Sequence, residues 1–159
     1  MELNPYAKYL GDRDPLKTIR ETVGAIRRLL EKMPAEQLAL RAPATRWNAR
    51  EIVCHLADCE MVFGFRLRQT LAEDAPVLQT FDQEKWALRY ANLDVESALG
   101  MFEACRGWNV LLLEATTAEE RARVVTHPER GTMTLWTIAE TMGGHDINHL
   151  GQLERLADG

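Results

Sequence analysis

Four segments of this sequence carry apolar residues at intervals of three and four, the spacing that lines one face of an α-helix. Residues suited to helix N-termini precede three of them: Asp14 before a proline, Asn48 with Glu51 three positions later, and Asp94. The pattern predicts an all-α fold, a four-helix bundle with long connections that forms one domain over residues 1–159. The expected helices run from Pro15 to Met33, from Ala49 to about Ala72, from Val95 to about Thr116, and from about Thr132 to Leu156.

The connections between these helices are long for an up-down bundle, which needs only short turns. They span Pro34–Trp47, Glu73–Leu93 and Thr117–Gly131, so we expect crossovers between helices that are not neighbours. The last connection begins with the capping-box pattern of a short extra helix at Thr117–Glu120. Its segment Val124–Gly131 is expected to be extended and to end in a turn.

Composition and charge argue against several classes of protein. Apolar residues make up 46% of the chain and charged residues 27%, as in ordinary globular domains. The net charge of −5 argues against a general nucleic-acid-binding protein, and no apolar run approaches the roughly 20 residues that cross a bilayer. The N-terminus lacks the basic start and apolar core of a signal peptide. Cys54, Cys59 and Cys105 are odd in number and lie in helical patterns, so we expect a reduced, cytoplasmic protein.

Three histidines lie on the apolar faces of two expected helices. His145 and His149 are one helical turn apart, and His55 occupies the second helix. A shared divalent metal would satisfy all three imidazoles and leave coordination positions open, as in reactive sites. The alternative is that each is a core histidine bonded to a backbone carbonyl. Gly143 and Gly144, just before the pair, are expected to allow either a close helix approach or a kink.

Other polar side chains near these histidines each have two interpretations. Cys59 is interpreted as core packing, with a ligand role as the alternative. Asp58 and Asp146 are candidates to accept a hydrogen bond from a metal-bound imidazole; for Asp58 a solvated or inter-helix carboxylate is the alternative. Gln152 is a candidate to line the same cavity. His127 is expected either in an exposed surface loop or folded over the open face of the site.

Three segments of the chain resemble the DinB-like proteins, also called the DinB and YfiT-like superfamily of metalloenzymes. They are RWNAREIVCHLADCE (46–60), FDQEKWALRY (81–90) and HPERGTMTLWTIAETMGGHDINHLGQLERL (127–156). The third is the most specific. The second resembles the subgroup that includes bacillithiol S-transferases.

The resemblance implies a four-helix bundle, often a homodimer, that binds a divalent ion of nickel, zinc or iron. The residues that match the family's three histidine ligands are His55, His145 and His149. Members of the family include thiol transferases that use bacillithiol or mycothiol, a mycothiol-dependent maleylpyruvate isomerase, and many proteins of unknown activity.

The leading functional hypothesis is therefore a metal-dependent thiol S-transferase that acts on small electrophiles. The ion would stabilise a low-molecular-weight thiol as its thiolate. The substrate would lie in a cavity walled by Phe81–Tyr90 and the His127 loop. Arg89 or Arg130 would hold carboxylates of the thiol, with solvated surface positions as the alternative for both.

Two further hypotheses differ in class from the first. A metal-dependent hydrolase would use an ion-bound water, with Asp58, Glu60 and Asp146 as the candidate bases. A non-enzymatic, stress-related dimer would use the ion for stability or to sense metal. The core is large enough that we expect the metal-free chain to stay folded in every case.

Overall fold

The computed structural model describes residues 3–40 and 47–158, and it confirms the four long helices. Residues 41–46, which include Arg46 and part of the first connection, lie outside the described residues. The helices are α1 (Ala7–Leu10), α2 (Pro15–Leu30), α3 (Ala49–Ala72), α4 (Gln83–Ala87), α5 (Val95–Glu114), α6 (Ala118–Arg121) and α7 (Leu135–Ala157). The strands are β1 (Val124–His127) and β2 (Gly131–Thr134), and 3₁₀ turns occupy Gln37–Ala39 and Tyr90–Asn92.

The side chains expected at the N-termini of the helices form the expected caps. Asp14 accepts a hydrogen bond from the backbone N–H of Lys17 at 2.6 Å. Asn48 and Glu51 form a reciprocal capping box at the start of α3, and Asp94 accepts from the third residue of α5. Each cap satisfies N–H groups that have no partner within the helix, so these boundaries follow from local sequence.

The long helices are connected by crossovers, as the long connections predict. Helix α2 packs mainly against α7 and α5, and α3 packs against α5 and α7. Helices α2 and α3 therefore lie across the bundle from each other, as do α5 and α7, although each pair is consecutive in the chain. This arrangement brings α3 and α7, which carry the three histidines of interest, side by side.

The last connection differs from the sequence prediction at its end. The short helix α6 is present, and residues 124–127 are extended as expected. However, Thr132 does not start the last helix, because Gly131–Thr134 pairs antiparallel with β1 as β2. Gly131 has a φ of 95°, which glycine adopts readily, and Thr134 then caps α7.

Two short helices, α1 and α4, were not predicted. A helix of four or five residues carries too little periodicity to be read from sequence. Both contribute to the surroundings of the site, because α1 packs on α7 and the α4 segment lies against α3. Among the described residues, no helix is both long and apolar enough to cross a membrane.

The paired glycines allow a close approach rather than a kink. Helix α7 runs without interruption through both of them. A Cβ atom at Gly144 would meet the carbonyl oxygen of Tyr6 and lie 2.7 Å from the Tyr6 Cβ. A Cβ atom at Gly143 would lie 3.0 Å from Leu10 Cδ1. The N-terminal segment can therefore pack on α7 only because these positions lack side chains.

Gly144→Ala is expected to lower the free energy of unfolding by about 1–3 kcal/mol, the usual cost of overpacking. The added methyl would press on backbone atoms of Tyr6, which cannot turn aside as a flexible side chain would. Urea denaturation measures the change. Gly107→Ala is the matched control, since nothing lies within 4 Å of a Cβ there, and it should stabilise α5 by about 0.5–1 kcal/mol. Equal effects of the two substitutions would contradict the close approach at Gly144.

Candidate metal centre

The three predicted histidines come together inside the bundle. His55 on α3 and His145 and His149 on α7 are 1%, 3% and 4% exposed. Their ring centroids lie 5.1 Å (His55–His145), 4.9 Å (His55–His149) and 4.4 Å (His145–His149) apart. Since His145 and His149 are one turn apart on α7 and α3 packs beside that helix, the bundle itself sets this arrangement. We call these three residues the imidazole cluster.

The ring nitrogens of His55 and His145 are spaced nearly as two ligands of one ion would be. His55 Nε2 lies 3.0 Å from His145 Nε2. Two imidazole nitrogens that bind one ion at about 2.0–2.1 Å with a tetrahedral angle are roughly 3.3 Å apart. Without an ion, one of the two nitrogens must donate a proton to the other. This pair of donors therefore fits a divalent cation with little rearrangement, and the His149 ring lies beside it, with its centroid 4.4 Å from that of His145.

His149 is oriented by Gln152, one turn further along α7. Its Nδ1 lies 3.0 Å from Gln152 Oε1. An amide oxygen only accepts, so Nδ1–H donates and Nε2 carries the lone pair. An outer hydrogen bond of this kind fixes the tautomer of a metal-binding imidazole. Gln152, a candidate from the sequence to line the cavity, is instead the hydrogen-bond partner of His149.

All three imidazoles are held in the neutral form that binds metal. Burial, then the charge of His149, lowers the pKa of His55 to about 3. Burial lowers the pKa of His149 to about 4, although Gln152 and Asp146 act in the opposite direction. The pKa of His145 is also lowered, first by burial and then by the neighbouring histidines and Arg106.

Acidification from pH 7 to pH 5 is expected to destabilise the metal-free protein. The folded-state pKa of these histidines is below the unfolded value near 6.5, so below that pH the unfolded chain binds protons that the folded chain does not. Stability is therefore lost as the pH falls, by about 2 kcal/mol for each histidine at pH 5. Urea denaturation at the two pH values measures the loss.

His149→Gln supplies the control for this pH dependence. The variant lacks one of the titrating groups, so its loss of stability between pH 7 and pH 5 should be smaller than that of the wild type by the contribution of one histidine. If both proteins respond equally, His149 takes up a proton without unfolding, and the site is more open than the structure indicates.

Cys59 places a sulfur atom, a fourth possible metal ligand, beside the cluster. Its Sγ lies 3.5 Å from His55 Nε2 and 3.7 Å from His55 Nδ1. The ligand atoms of His55, Cys59 and His145 all lie within 4.8 Å of one another. Cys59 also packs in the apolar core, as the sequence interpretation favoured. Burial, then the charge of Asp58, raises the pKa of its thiol, so the thiol form prevails without a bound cation.

Neither aspartate is seen to orient an imidazole of the cluster. Asp58 accepts a hydrogen bond from the Tyr90 hydroxyl at 2.8 Å, the inter-element role given as its alternative. Asp146 pairs with Arg106 instead, at 2.6 and 3.1 Å. Among the hydrogen bonds of the described residues, neither carboxylate is bonded to a histidine, so the expected role of Asp146 is wrong.

A buried charge network beside the cluster was missed by the sequence analysis. Arg106 on α5, 2% exposed, binds Asp146 of α7 and Glu60 of α3, the latter at 2.8 Å. Its remaining bond goes to the Ile19 carbonyl of α2 at 2.7 Å. The signal in the sequence was a charged residue on the apolar stripe of the third long helix. We call Arg106, Glu60 and Asp146, together with Thr22 and Asn109 that bond to the two carboxylates, the arginine network.

A cavity of about 390 Å³ opens beside the cluster, with Cys59 and His145 in its wall. Other parts of the wall come from α3, the N-terminal segment, the residues before α4 and the β1–β2 hairpin. His127 is 4% exposed and lines this cavity, so the surface-loop interpretation of His127 is wrong. Arg130 also lines it, whereas Arg89 is exposed and does not. Arg66, which the sequence analysis did not single out, lines it too.

Comparison with known proteins places this architecture in one family. The family model of the DinB superfamily matches residues 18–153. A protein of Oceanobacillus iheyensis named "Putative metal-dependent hydrolase OB0782" is 30% identical over 122 residues, covering 76% of this chain and 71% of that protein. "Putative metal-dependent hydrolase YfiT" of Bacillus subtilis is 25% identical over 148 residues, covering 88% of this chain and 82% of YfiT.

Two solved structures share the fold. The structure described as "YfiT from Bacillus subtilis is a probable metal-dependent hydrolase with an unusual four-helix bundle topology" matches with a TM-score of 0.79 and 24% identity, over 89% of this chain and 84% of that one. The mycothiol-dependent maleylpyruvate isomerase matches with a TM-score of 0.69 and 12% identity, over 96% of this chain and 63% of that one. Both likenesses concern the fold, and the first confirms the four-helix bundle.

Proposed function

The chain belongs to the DinB superfamily, and on that premise we propose that it is a divalent-metal-dependent enzyme whose ion is held by His55, His145 and His149. The observation that carries the proposal is the convergence of three buried, neutral imidazoles, of which His145 lines a cavity. Nickel, zinc and iron all suit imidazole ligands.

We propose thiol S-transfer to a small electrophile as the reaction. The ion would supply Lewis-acid chemistry, which lowers the pKa of a coordinated thiol and makes a nucleophile available at neutral pH. In the transfer, the thiol sulfur forms a bond to the electrophilic carbon, and the leaving group departs with its electron pair and takes the thiol proton. The cavity wall contributed by Phe63 and Phe81 would hold the apolar part of the electrophile and keep water out.

The engagement of nearby carboxylates favours a thiol over water as the nucleophile. Hydrolysis needs a base for the attacking water, and the candidate bases were Asp58, Glu60 and Asp146. Asp58 is bonded to Tyr90, while Glu60 and Asp146 are both bonded to Arg106. A coordinated thiol needs no such base, because the cation itself favours the thiolate.

Metal-dependent hydrolysis is the second candidate, favoured by the names of the relatives. OB0782 and YfiT are both named as metal-dependent hydrolases. An open site with three histidine ligands can lower the pKa of water to roughly 7. In that case the base would have to come from another side chain of the cavity wall.

Turnover by the metal-loaded protein should distinguish the two. We expect conjugation of a low-molecular-weight thiol, from a panel that includes bacillithiol, mycothiol and glutathione, to reactive halides and epoxides, detected by mass spectrometry. Cleavage in an ester and amide panel without thiol would favour the hydrolase. Either activity should be lost in His149→Ala, which removes a proposed ligand.

A non-enzymatic role has a distinct signature. If the protein is a stress-related metal-binding dimer, metal removal lowers the melting temperature while neither panel shows turnover.

The homodimer remains a prediction. Exposed apolar side chains on the outer faces of two neighbouring helices support it: Met61 and Phe65 on α3, and Met101, Trp108 and Leu111 on α5.

A further inference from the structure

We propose that Arg66, His127 and Arg130 form a binding site for an oxyanion, the carboxylate or phosphate group of a small molecule whose other end reaches the imidazole cluster. The inference rests on the proposed function, because it assigns this site to the ligand of the same cavity. All three side chains line that cavity. They also line a small adjoining pocket of about 10 Å³ to which Cys59 and His145 do not contribute. The three residues therefore mark a part of the cavity separate from the imidazole cluster.

Arg66 is a buried cation whose bonding is incomplete. It is 8% exposed, and its Nη2 donates to the Gln79 carbonyl at 3.1 Å. Its Nε–H is buried and has no acceptor among the described residues. A buried guanidinium without a carboxylate partner is costly, and an anion in the cavity would supply the missing countercharge.

His127 adds a neutral donor beside this cation. Its Nδ1 accepts the backbone N–H of Glu129 at 3.2 Å, so in the neutral ring the proton is on Nε2. Burial, then the charges of Arg130 and Arg66, lowers the pKa of His127. Two cations and an N–H donor thus crowd together, and the repulsion between Arg130 and Arg66 acts on Arg66 as well. A bound oxyanion would relieve it.

The acidic residues of the cavity do not neutralise the two arginines. Asp82 is committed to the start of α4, where it accepts from the backbone N–H groups of Glu84 and Lys85 and pairs with the Lys85 ammonium at 3.1 Å. Glu129 is exposed at the hairpin. Within the part of the chain that the structure describes, no ion pair links a carboxylate to Arg66 or Arg130.

The position of Arg66 sets the shape of the ligand. Cys59 and Arg66 are seven residues apart on α3, so their Cα atoms are separated by roughly 10 Å along the helix axis. Phe63 lies between them and lines the cavity. The ligand that fits is an elongated acid, with its anionic end at the arginines, an apolar body along Phe63, and its reacting end at the imidazole cluster.

Three probes with one alkyl body test the proposal: hexanoate, hexyl phosphate and the uncharged hexanamide. Each is titrated into the ¹⁵N-labelled protein at constant ionic strength, with the arginine Nε–H and histidine resonances as the readout. We expect millimolar or tighter binding of at least one anion, with a shift of the Arg66 Nε–H, and no comparable binding of hexanamide. The anion that binds more tightly identifies carboxylate or phosphate as the group recognised. Equal binding of the amide would overturn the proposal.

Variants locate the site. Arg66→Gln and Arg130→Gln should each weaken anion binding by about tenfold or more, whereas Arg89→Gln, an exposed arginine outside the cavity, should not. Arg130 is only half-buried, so its variant keeps the test valid if Arg66→Gln does not fold. Unchanged affinity in Arg130→Gln would contradict the proposal.

The double variant His145→Ala/His149→Ala separates this proposal from the proposed function. It removes two proposed metal ligands and leaves the arginines in place, so it should still bind the anion. If it loses anion binding while the arginine variants keep it, the anion binds at the imidazole cluster and the oxyanion site is refuted. If the wild type binds the anion but binds no metal, the metal-dependent function is contradicted and the oxyanion site is not.

Discussion

Arg106→Met should lower the free energy of unfolding by about 3–5 kcal/mol, the usual cost of removing one partner of a buried ion pair. The arginine network joins all four long helices, with Arg106 bound to two carboxylates that are each 1% exposed. Burial disfavours the charge of Arg106, but Asp146 and Glu60 outweigh it and raise its pKa. Methionine has a similar length, so the main loss is the charge. Urea denaturation at pH 7 measures it.

Two comparisons show whether the unpaired carboxylates are the cause. Adding Glu60→Gln and Asp146→Asn to Arg106→Met removes both buried charges, and should recover part of the lost stability. Arg20→Met breaks the exposed ion pair with Glu114, and should leave the urea midpoint nearly unchanged. If Arg106→Met proves as mild as Arg20→Met, the network does not stabilise the bundle.

Metal content should fall from nearly stoichiometric in the wild type to none in His145→Ala/His149→Ala. The measurement uses untagged protein purified without chelator or added metal, since a histidine tag would bind metal itself. Elemental analysis then also names the ion. If the wild type contains no metal and cannot be reloaded, the three histidines are core residues rather than metal ligands.

Single substitutions decide between Cys59 and His149 as the third ligand. We expect Cys59→Ser to keep its metal and His149→Ala to lose it. His149 is already neutral and oriented by Gln152, whereas the Cys59 thiol must first lose a proton that burial helps it retain. The opposite result would assign the cation to His55, Cys59 and His145, whose ligand atoms also lie close together.

The sequence was sufficient for features that depend on local pattern. The long helices follow from apolar spacing, and the starts of α2, α3 and α5 follow from Asp14, Asn48 and Asp94. The proximity of His145 and His149 follows from their one-turn spacing. The start of α7 was placed three residues early because residues 131–134 form a strand by pairing with β1, which is a contact that helical periodicity does not show.

Features that depend on long-range contacts were beyond the sequence. Asp146 sits next to His145 in the chain, yet its carboxylate is bonded to Arg106, 40 residues away. Arg66 was not singled out, because nothing local shows that it lines a cavity with the segment before α4 and the hairpin. For His127 the sequence left an exposed loop and a position over the open face of the site as alternatives, and only the cavity that His127 lines decides for the second.

The order in which the chain is synthesised has a consequence for how the imidazole cluster acquires an ion. His55 and His145 are 90 residues apart, and Tyr6, whose ring packs edge-on against His145 at 5.1 Å, comes from the opposite end of the described chain. The nascent protein therefore carries His55 and the neighbouring Cys59, but neither of the other two histidines, until α7 has been made. Under the proposed function the complete ligand set forms only when α7 docks on α3, so capture of the ion would follow the synthesis of nearly the whole described chain.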